Sequence, residues 1–288
     1  MKKRFRLHPR AWLDALLTYP RFLGTIKPAL MREAARELAP RLAIHHGCWW
    51  AKQLFAPVAK RILAISPHPD DESIGCGGLL LSHVGYSEIR IVTVYNGDGG
   101  GSLADEPWRD DPEYRARLTE VRSNELNEVA TMLQASEVVG LGVSDCVGIP
   151  GVKESAALKR ILEDFAPEIV LLPWFLDNHP HHKLTNQMFV VAANGLDLMV
   201  LAYEIWGLLA LVNAFIDISD VMDRKRAMIA LHASQTRTVD YVRYAESLAR
   251  TRAFHYPVRD NRSGAVEAYL ALPCADYCDL VRLMMASE

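Results

Sequence analysis

The chain is poor in cysteine: five among 288 residues, an odd number, with no CxxC pair and no disulfide-framework spacing. That excludes the stapled secreted scaffolds and fits a reducing compartment, so a cytoplasmic location is expected. A dominant charge is also lacking. The formal net charge is -3, with no acidic tail and no broad basic excess, and nucleic acid is not an expected partner. No uninterrupted apolar run is long enough to span a bilayer. The longest apolar region, Met188 to Phe215, is broken by Asn194, Asp197, Glu204 and Asn213 and reads as a buried helix followed by a buried strand. The start, MKKRFRLHPR, leads into no apolar segment with a small-residue cleavage site, so no secretory signal is expected. No internal repeat is evident.

What is there suits an ordinary globular protein, since half the residues are hydrophobic and the length allows one large domain with an appendage. Residues 1–58 read as a helical extension in pieces, Ala11 to Leu23, Pro28 to Leu38 and Trp49 to Ala56, punctuated by Pro20, Pro28, Pro40 and Pro57. Lys2, Lys3, Arg4, Arg6 and Arg10, beside Trp12, Leu16 and Leu17, make peripheral contact with a membrane surface or an anionic partner one reading of this extension. Packing on its own domain, or on a second subunit of a homo-oligomer, is the preferred one.

From Arg61 onward the pattern alternates. Strands are expected at Arg61 to Ser66, Ile89 to Val94, Val138 to Leu141, Glu168 to Leu172, Val200 to Trp206 and Ala214 to Ile218, with a short ending that includes Val266 to Leu270. Between them lie expected helices at Ile74 to Val84, Glu113 to Leu133, Glu154 to Phe165, after His182, Met222 to His232 and Tyr241 to Thr251. Such alternation predicts an α/β domain over residues 59–288 with a mostly parallel sheet, a Rossmann-like three-layer sandwich.

The organising stretch is RILAISPHPDDESIGCGGLL, Arg61 to Leu80. An apolar run the length of a central strand breaks into His68, Asp70, Asp71 and Glu72, and then into glycines that let a helix approach the sheet. Three adjacent acids repel one another unless a cation is present, which makes a divalent metal the first hypothesis. A second source of ligands, Asp177-Asn178-His179-Pro180-His181-His182, follows another short apolar run. Sites in open α/β sheets gather beyond the carboxyl ends of strands, so the two clusters are expected to converge. Two histidines and one acid would leave a coordination position open, the catalytic rather than the structural pattern.

These same stretches, PHPDDE with its glycines and NHPHH, resemble the PIG-L/LmbE family of zinc-dependent N-acetylglucosamine deacetylases. Weaker matches follow in order at Arg122 to Glu125, Tyr203 to Trp206, Asp217 to Ser219, Lys225 to Ala227, His232 to Gln235 and Glu267 to Tyr269, so that the resemblance covers roughly Arg61 to Leu270. It implies removal of an acetyl group from an N-acetylated amino sugar on a lipid, nucleotide, glycan or thiol-related aglycone. By the same resemblance His68, Asp71 and His182 hold Zn2+ and Asp70 is the general base. His179, protonated, would stabilise the oxyanion and give its proton to the leaving amine.

Glu72 is expected to orient a ligand. His181 stands where the family usually has an acid, and slower turnover or a shifted pH optimum is expected from it. Asp98, in the Asn96 to Gly101 loop, and Arg122 are candidate sugar contacts, beside the readings of a solvated Asp98 and an Arg122–Glu125 helix pair. Trp174 is a candidate for the pocket wall, while His83 and His255 read as surface or satisfied core residues. Two rivals remain at this stage: an iron-dependent oxygenase using the same two-histidine, one-carboxylate triad, and a carbohydrate-binding relative with weak or no turnover.

Overall fold

The computed structural model describes residues 51–146, 148–256, 258 and 264–285. The chain runs β1 (Lys52–Leu54), β2 (Arg61–Ser66), α1 (Asp71–Ser82), β3 (Glu88–Tyr95), α2 (Pro112–Leu133), β4 (Glu137–Val143), α3 (Val152–Phe165), β5 (Ile169–Pro173) and α4 (Pro180–Ala192). It continues β6 (Met199–Tyr203), β7 (Ala214–Asp217), α5 (Met222–Leu231), α6 (Ala233–Thr236), α7 (Tyr241–His255), β8 (Val266–Pro273) and α8 (Cys274–Met285).

The eight strands form one sheet in the order β1-β7-β8-β6-β5-β2-β3-β4. Every neighbouring pair is parallel except the two made by β8, which runs antiparallel to both β6 and β7. Alternation along β2 explains the layering. Leu63 and Ile65 face one apolar core with Leu158 and Leu162 of α3, Phe189 of α4 and Tyr277 of α8. Ile62 and Ala64 face the other, with Leu79 of α1, Val129 of α2 and Ile229 of α5. Helices thus cover both faces, and a strand buried on both sides reads as the continuous apolar run seen in the sequence. Cutting Leu63, which is 0% exposed, back to alanine would cost about 2–5 kcal/mol.

The glycines after β2 act as expected. A Cβ on Gly75 would lie 2.2 Å from Tyr203 Cδ2, and one on Gly78 would lie 2.6 Å from Ile218 Cγ2, so α1 can lie this close to its neighbours only without side chains there. Tyr203 in turn donates its hydroxyl to Ile65 O at 2.9 Å, tying β6 to β2 across β5. The chain leaves β2 for β3 and β4 on one side and returns at β5 on the other. The strand order therefore reverses at β2, and the crevice beyond the carboxyl ends of β2 and β5 is where a ligand is expected.

Two expectations are corrected. The stretch Trp49 to Ala56 is not a helix over its described part: Lys52–Leu54 pairs in parallel with β7, so the sheet begins inside the presumed extension. Three residues are too few to show a period of two. The last described residues also form a helix, α8, where only a short ending was expected; its buried Cys274, Tyr277, Cys278, Val281 and Met284 follow a helical stripe. The helices expected at Ala11 to Leu23 and Pro28 to Leu38, and with them the membrane-surface and second-subunit readings, lie outside the described residues. Among the described residues no helix is long and apolar enough to cross a membrane.

Candidate metal centre

The corner after β2 is built by its own polar groups. The Ser66 hydroxyl lies 2.7 Å from His68 O and 2.8 Å from Glu72 Oε2, and it accepts the Glu72 N–H at 3.0 Å. Asp70 takes φ +156° and ψ -26°, a backbone conformation rarely adopted by residues with a side chain. It is held there because Glu72 Oε2 accepts its N–H at 3.2 Å while Asp70 O accepts the N–H of Ser73 and Ile74, each at 3.0 Å. Glu72 thus shapes the loop. It does not orient a ligand as expected: its other partners are Ser73, whose hydroxyl donates at 2.7 Å, and His232 Nε2 at 3.2 Å.

The corner after β5 depends on Asp177. Its Oδ1 accepts the His179 N–H at 3.0 Å and its Oδ2 accepts the N–H groups of Trp206 and Gly207, both at 3.0 Å. Pro180 opens α4 with His179 as N-cap, and His179 Nδ1 accepts the His181 N–H at 3.2 Å. His182, one residue on, is 0% exposed.

The two corners meet as expected. Asp71 Oδ2 lies 3.0 Å from His68 Nδ1 and 3.2 Å from His182 Nε2, and it accepts the His68 N–H at 2.8 Å. Candidate ligand atoms of His68, Asp71 and His182 lie within 4.8 Å of one another. Both ring nitrogens of His182 are buried without a properly angled hydrogen bond, although Nδ1 is 3.3 Å from Asp177 Oδ1. Two imidazoles and a carboxylate, with unmet buried valence at one nitrogen and an orienting acid behind the other, fit a borderline cation such as zinc. His68, His179 and His181 form a second set within the same distance limit.

Electrostatics separate the two neighbouring acids. Burial lifts the Asp70 carboxyl to about 6, with the Arg122 guanidinium pulling it down and Asp71 pushing it up. Burial also opposes ionisation of Asp71, but His182 and His68 hold it well below the usual carboxylate range. For His182 burial disfavours the cation, yet Asp71 and Asp177 keep its pKa up at about 10. His179 goes the other way: burial and the neighbouring His68 and His182 push it down to about 4.

A cavity of about 630 Å³ opens over this centre. His68, Asp70, Asp71, Arg122 and His179 line it, whereas His182 lies beneath. Asp98 does not line it. Its Oδ2 accepts from the Ser144 hydroxyl and its Oδ1 from the Asp145 N–H, both at 2.7 Å, so it ties the loop after β3 to that after β4. Arg122 does not pair with Glu125, which instead accepts the Ser234 N–H and hydroxyl at 2.7 Å each. The guanidinium donates to Gly97 O at 3.2 Å, Gly100 O at 3.3 Å and Pro69 O at 3.2 Å, and lies 3.4 Å from Asp70 Oδ1. Trp174 is buried, donating to Gly207 O, and is not part of the wall.

The His181 ring meets that of His179 edge-on, with centroids 5.0 Å apart. It stacks on Tyr95, with centroids 4.0 Å apart, and its Nδ1 lies 2.9 Å from His68 Nε2. His83 is a satisfied core residue, its Nε2 accepting the Val58 N–H at 2.8 Å and its Nδ1 lying 2.7 Å from Leu79 O. The sequence reading missed Asp145, Trp108, Trp206 and Tyr241, all of which line the cavity. Asp145 carried a signal, since it follows a strand as the other site acids do, and Trp206 lay in a stretch already matched to the family.

Comparison with known proteins agrees with this geometry. Residues 63–193 match the family described as PIG-L, GlcNAc-PI de-N-acetylase. Diacetylchitobiose deacetylase of Thermococcus kodakarensis is 27% identical over 215 residues, which is 68% of this chain and 78% of that protein. Mycothiol S-conjugate amidase of Streptomyces coelicolor is 25% identical over 154 residues, 47% of this chain and 52% of that protein. Among solved structures, the N,N'-diacetylchitobiose deacetylase of Pyrococcus horikoshii, complexed with an inhibitor, has the same fold, with a TM-score of 0.62 at 22% identity over 76% of this chain and 86% of that one.

Proposed function

We propose, from the match of residues 63–193 to the PIG-L family and from the site geometry, that the protein is a metal-dependent deacetylase acting on an N-acetylated amino-sugar conjugate. The observation that carries the reading is the meeting of His68 and Asp71, which line one cavity beside Asp70, with His182 just beneath them. The names of the two relatives, a diacetylchitobiose deacetylase and a mycothiol S-conjugate amidase, support a reading in which an amide is cleaved.

His68, Asp71 and His182 would hold zinc, which when bound supplies a Lewis acid for the acetyl carbonyl and lowers the pKa of water to about 7. The protein's own groups do the rest. Asp70, fixed by Arg122 and its strained backbone, takes the proton of the attacking water as the oxygen joins the amide carbon. As the carbon–nitrogen bond breaks, that proton passes to the departing nitrogen, leaving a free amine and acetic acid, which ionises to acetate. In this reading His179 contributes as a neutral ring rather than an imidazolium, since its Nδ1 accepts the His181 N–H and its ring proton then sits on Nε2. From there it donates a hydrogen bond to the oxygen that gains charge. Trp108, Trp206 and Tyr241 offer apolar faces for the sugar or its aglycone.

Mass spectrometry of N-acetylglucosamine conjugates and diacetylchitobiose, incubated with the zinc-loaded protein, tests this reading. Acetate release is expected, and Asp70→Asn is expected to lower it by about 10²–10⁴-fold. Equal release by the two proteins removes the proposed base. Sugar binding with bound zinc and no acetate favours a carbohydrate-binding relative, and turnover that needs iron and oxygen favours the oxygenase.

A further inference from the structure

We infer that His181 is the positioning partner of His68: it accepts the His68 Nε2 proton and so leaves the Nδ1 lone pair of His68 free for the ion. This rests on the metal centre proposed above and concerns a residue outside its ligand set.

The two nitrogens of His68 face different groups. Nδ1 is 3.0 Å from Asp71 Oδ2, on the side of His182, and Nε2 is 2.9 Å from His181 Nδ1. A neutral imidazole carries one proton. On Nδ1 it would be spent on the Asp71 carboxylate, and the nitrogen beside the ligand set would have no lone pair to give. On Nε2 it needs an acceptor, and among the described residues the hydrogen-bond partner of that atom is His181. The tautomer of a metal-binding histidine is set by what its other nitrogen meets.

His181 is itself held in place. Its ring stacks on Tyr95 with an interplanar angle of 14° and centroids 4.0 Å apart, and Tyr95 is fully buried at the end of β3. Its backbone N–H is fixed by His179 Nδ1 at 3.2 Å in the first turn of α4. The order of support therefore runs from Tyr95 to His181 to His68. Proton balance is simple. Without an ion, His68 donates from Nδ1 to Asp71 and accepts at Nε2 from the Nδ1–H of His181. With one, each neutral ring carries its proton on Nε2, and the pair neither gains nor loses a proton overall.

Two substitutions separate the acceptor from the stack. His181→Phe keeps a ring against Tyr95 and removes the acceptor; His181→Asn can place an amide oxygen where Nδ1 was and removes the ring. Zinc and cobalt affinities are measured by competition with a chromophoric chelator, on proteins whose far-UV spectra match the parent. His181→Phe is expected to bind about 10–100-fold more weakly, and His181→Asn within a few-fold of the parent. Equal affinity in His181→Phe, or equal losses in both variants, overturns the inference. So does a parent that binds two ions where both variants bind one, since His181 would then be a ligand in the set with His68 and His179. A parent that binds no ion overturns the metal centre and this inference together, whereas bound metal with no acetate release overturns the deacetylase reading alone.

Discussion

Two buried charged clusters flank helix α1, and they are finished differently. On its inner side Glu267 Oε1 accepts from Lys225 Nζ at 2.6 Å and from the Gly78 N–H at 2.7 Å, while Oε2 accepts from the Leu79 N–H at 2.7 Å and the Tyr269 hydroxyl at 2.6 Å. Lys225 also donates to Ile74 O at 2.8 Å. That knot is closed. At the amino end of the same helix, His182 has two buried nitrogens with no well-angled hydrogen bond among the described residues, and Asp70 has a carboxyl that burial makes reluctant to ionise. Burial of charge is common to both, so it cannot mark the working site; unmet valence beside a cavity can.

The sharpest way to test that contrast is to damage each cluster in turn. Asp70→Asn should show its effect almost entirely in turnover, the 10²–10⁴-fold loss given above, with an unchanged or higher urea midpoint; a large fall in that midpoint would place Asp70 in the structural class. Lys225→Met should do the reverse, leaving Glu267 buried without its cation at about 3–5 kcal/mol of stability. Urea unfolding measures this, and a loss under 1 kcal/mol would mean the knot is not closed.

Zinc at a hundred times its dissociation constant should stabilise the parent by about 2.7 kcal/mol and leave Asp71→Ala unmoved. An equal thermal shift in both proteins would put the ion elsewhere. Asp98→Asn, which weakens a link between two loops, should change KM by less than about threefold and stability by about 1 kcal/mol; a tenfold rise in KM would restore Asp98 as a sugar contact.

The smallest effect is at His83, whose pKa burial lowers, against a hydrogen bond to Leu79 that raises it. The unfolded chain takes up this proton near the ordinary value of 6.5, the folded chain only at lower pH. The contribution is therefore complete above about 6.5 and declines as pH falls below it. His83→Gln should flatten the slope of stability between pH 7 and 5 in urea titrations, and an unaltered slope would exclude the histidine as its source.

Much of this arrangement was legible in the residues. The runs Arg61–Ser66 and Ile169–Pro173 are apolar, short and followed by proline, histidine and acid, so both strands and both ligand corners could be read before any coordinates. What stayed hidden depends on partners far away in sequence. Asp98 looked free beside its glycines because Ser144 and Asp145, which bind it, come from the next strand's loop. Position 181 was read only through its effect on rate and pH optimum, and the contacts of its ring with Tyr95 and with His68, the latter 113 residues away, were hidden. β1 was too short to declare itself, and α8 was passed over although its apolar stripe was present.

That small edge strand also bears on synthesis. Lys52 pairs with Ala214, so one strand of the pair must wait for 162 further residues to be made (214 minus 52). At about 5–20 residues per second the delay is on the order of ten to thirty seconds. During that time the nascent sheet has an unpaired margin, and a chaperone that occupies strand edges would find its opportunity there.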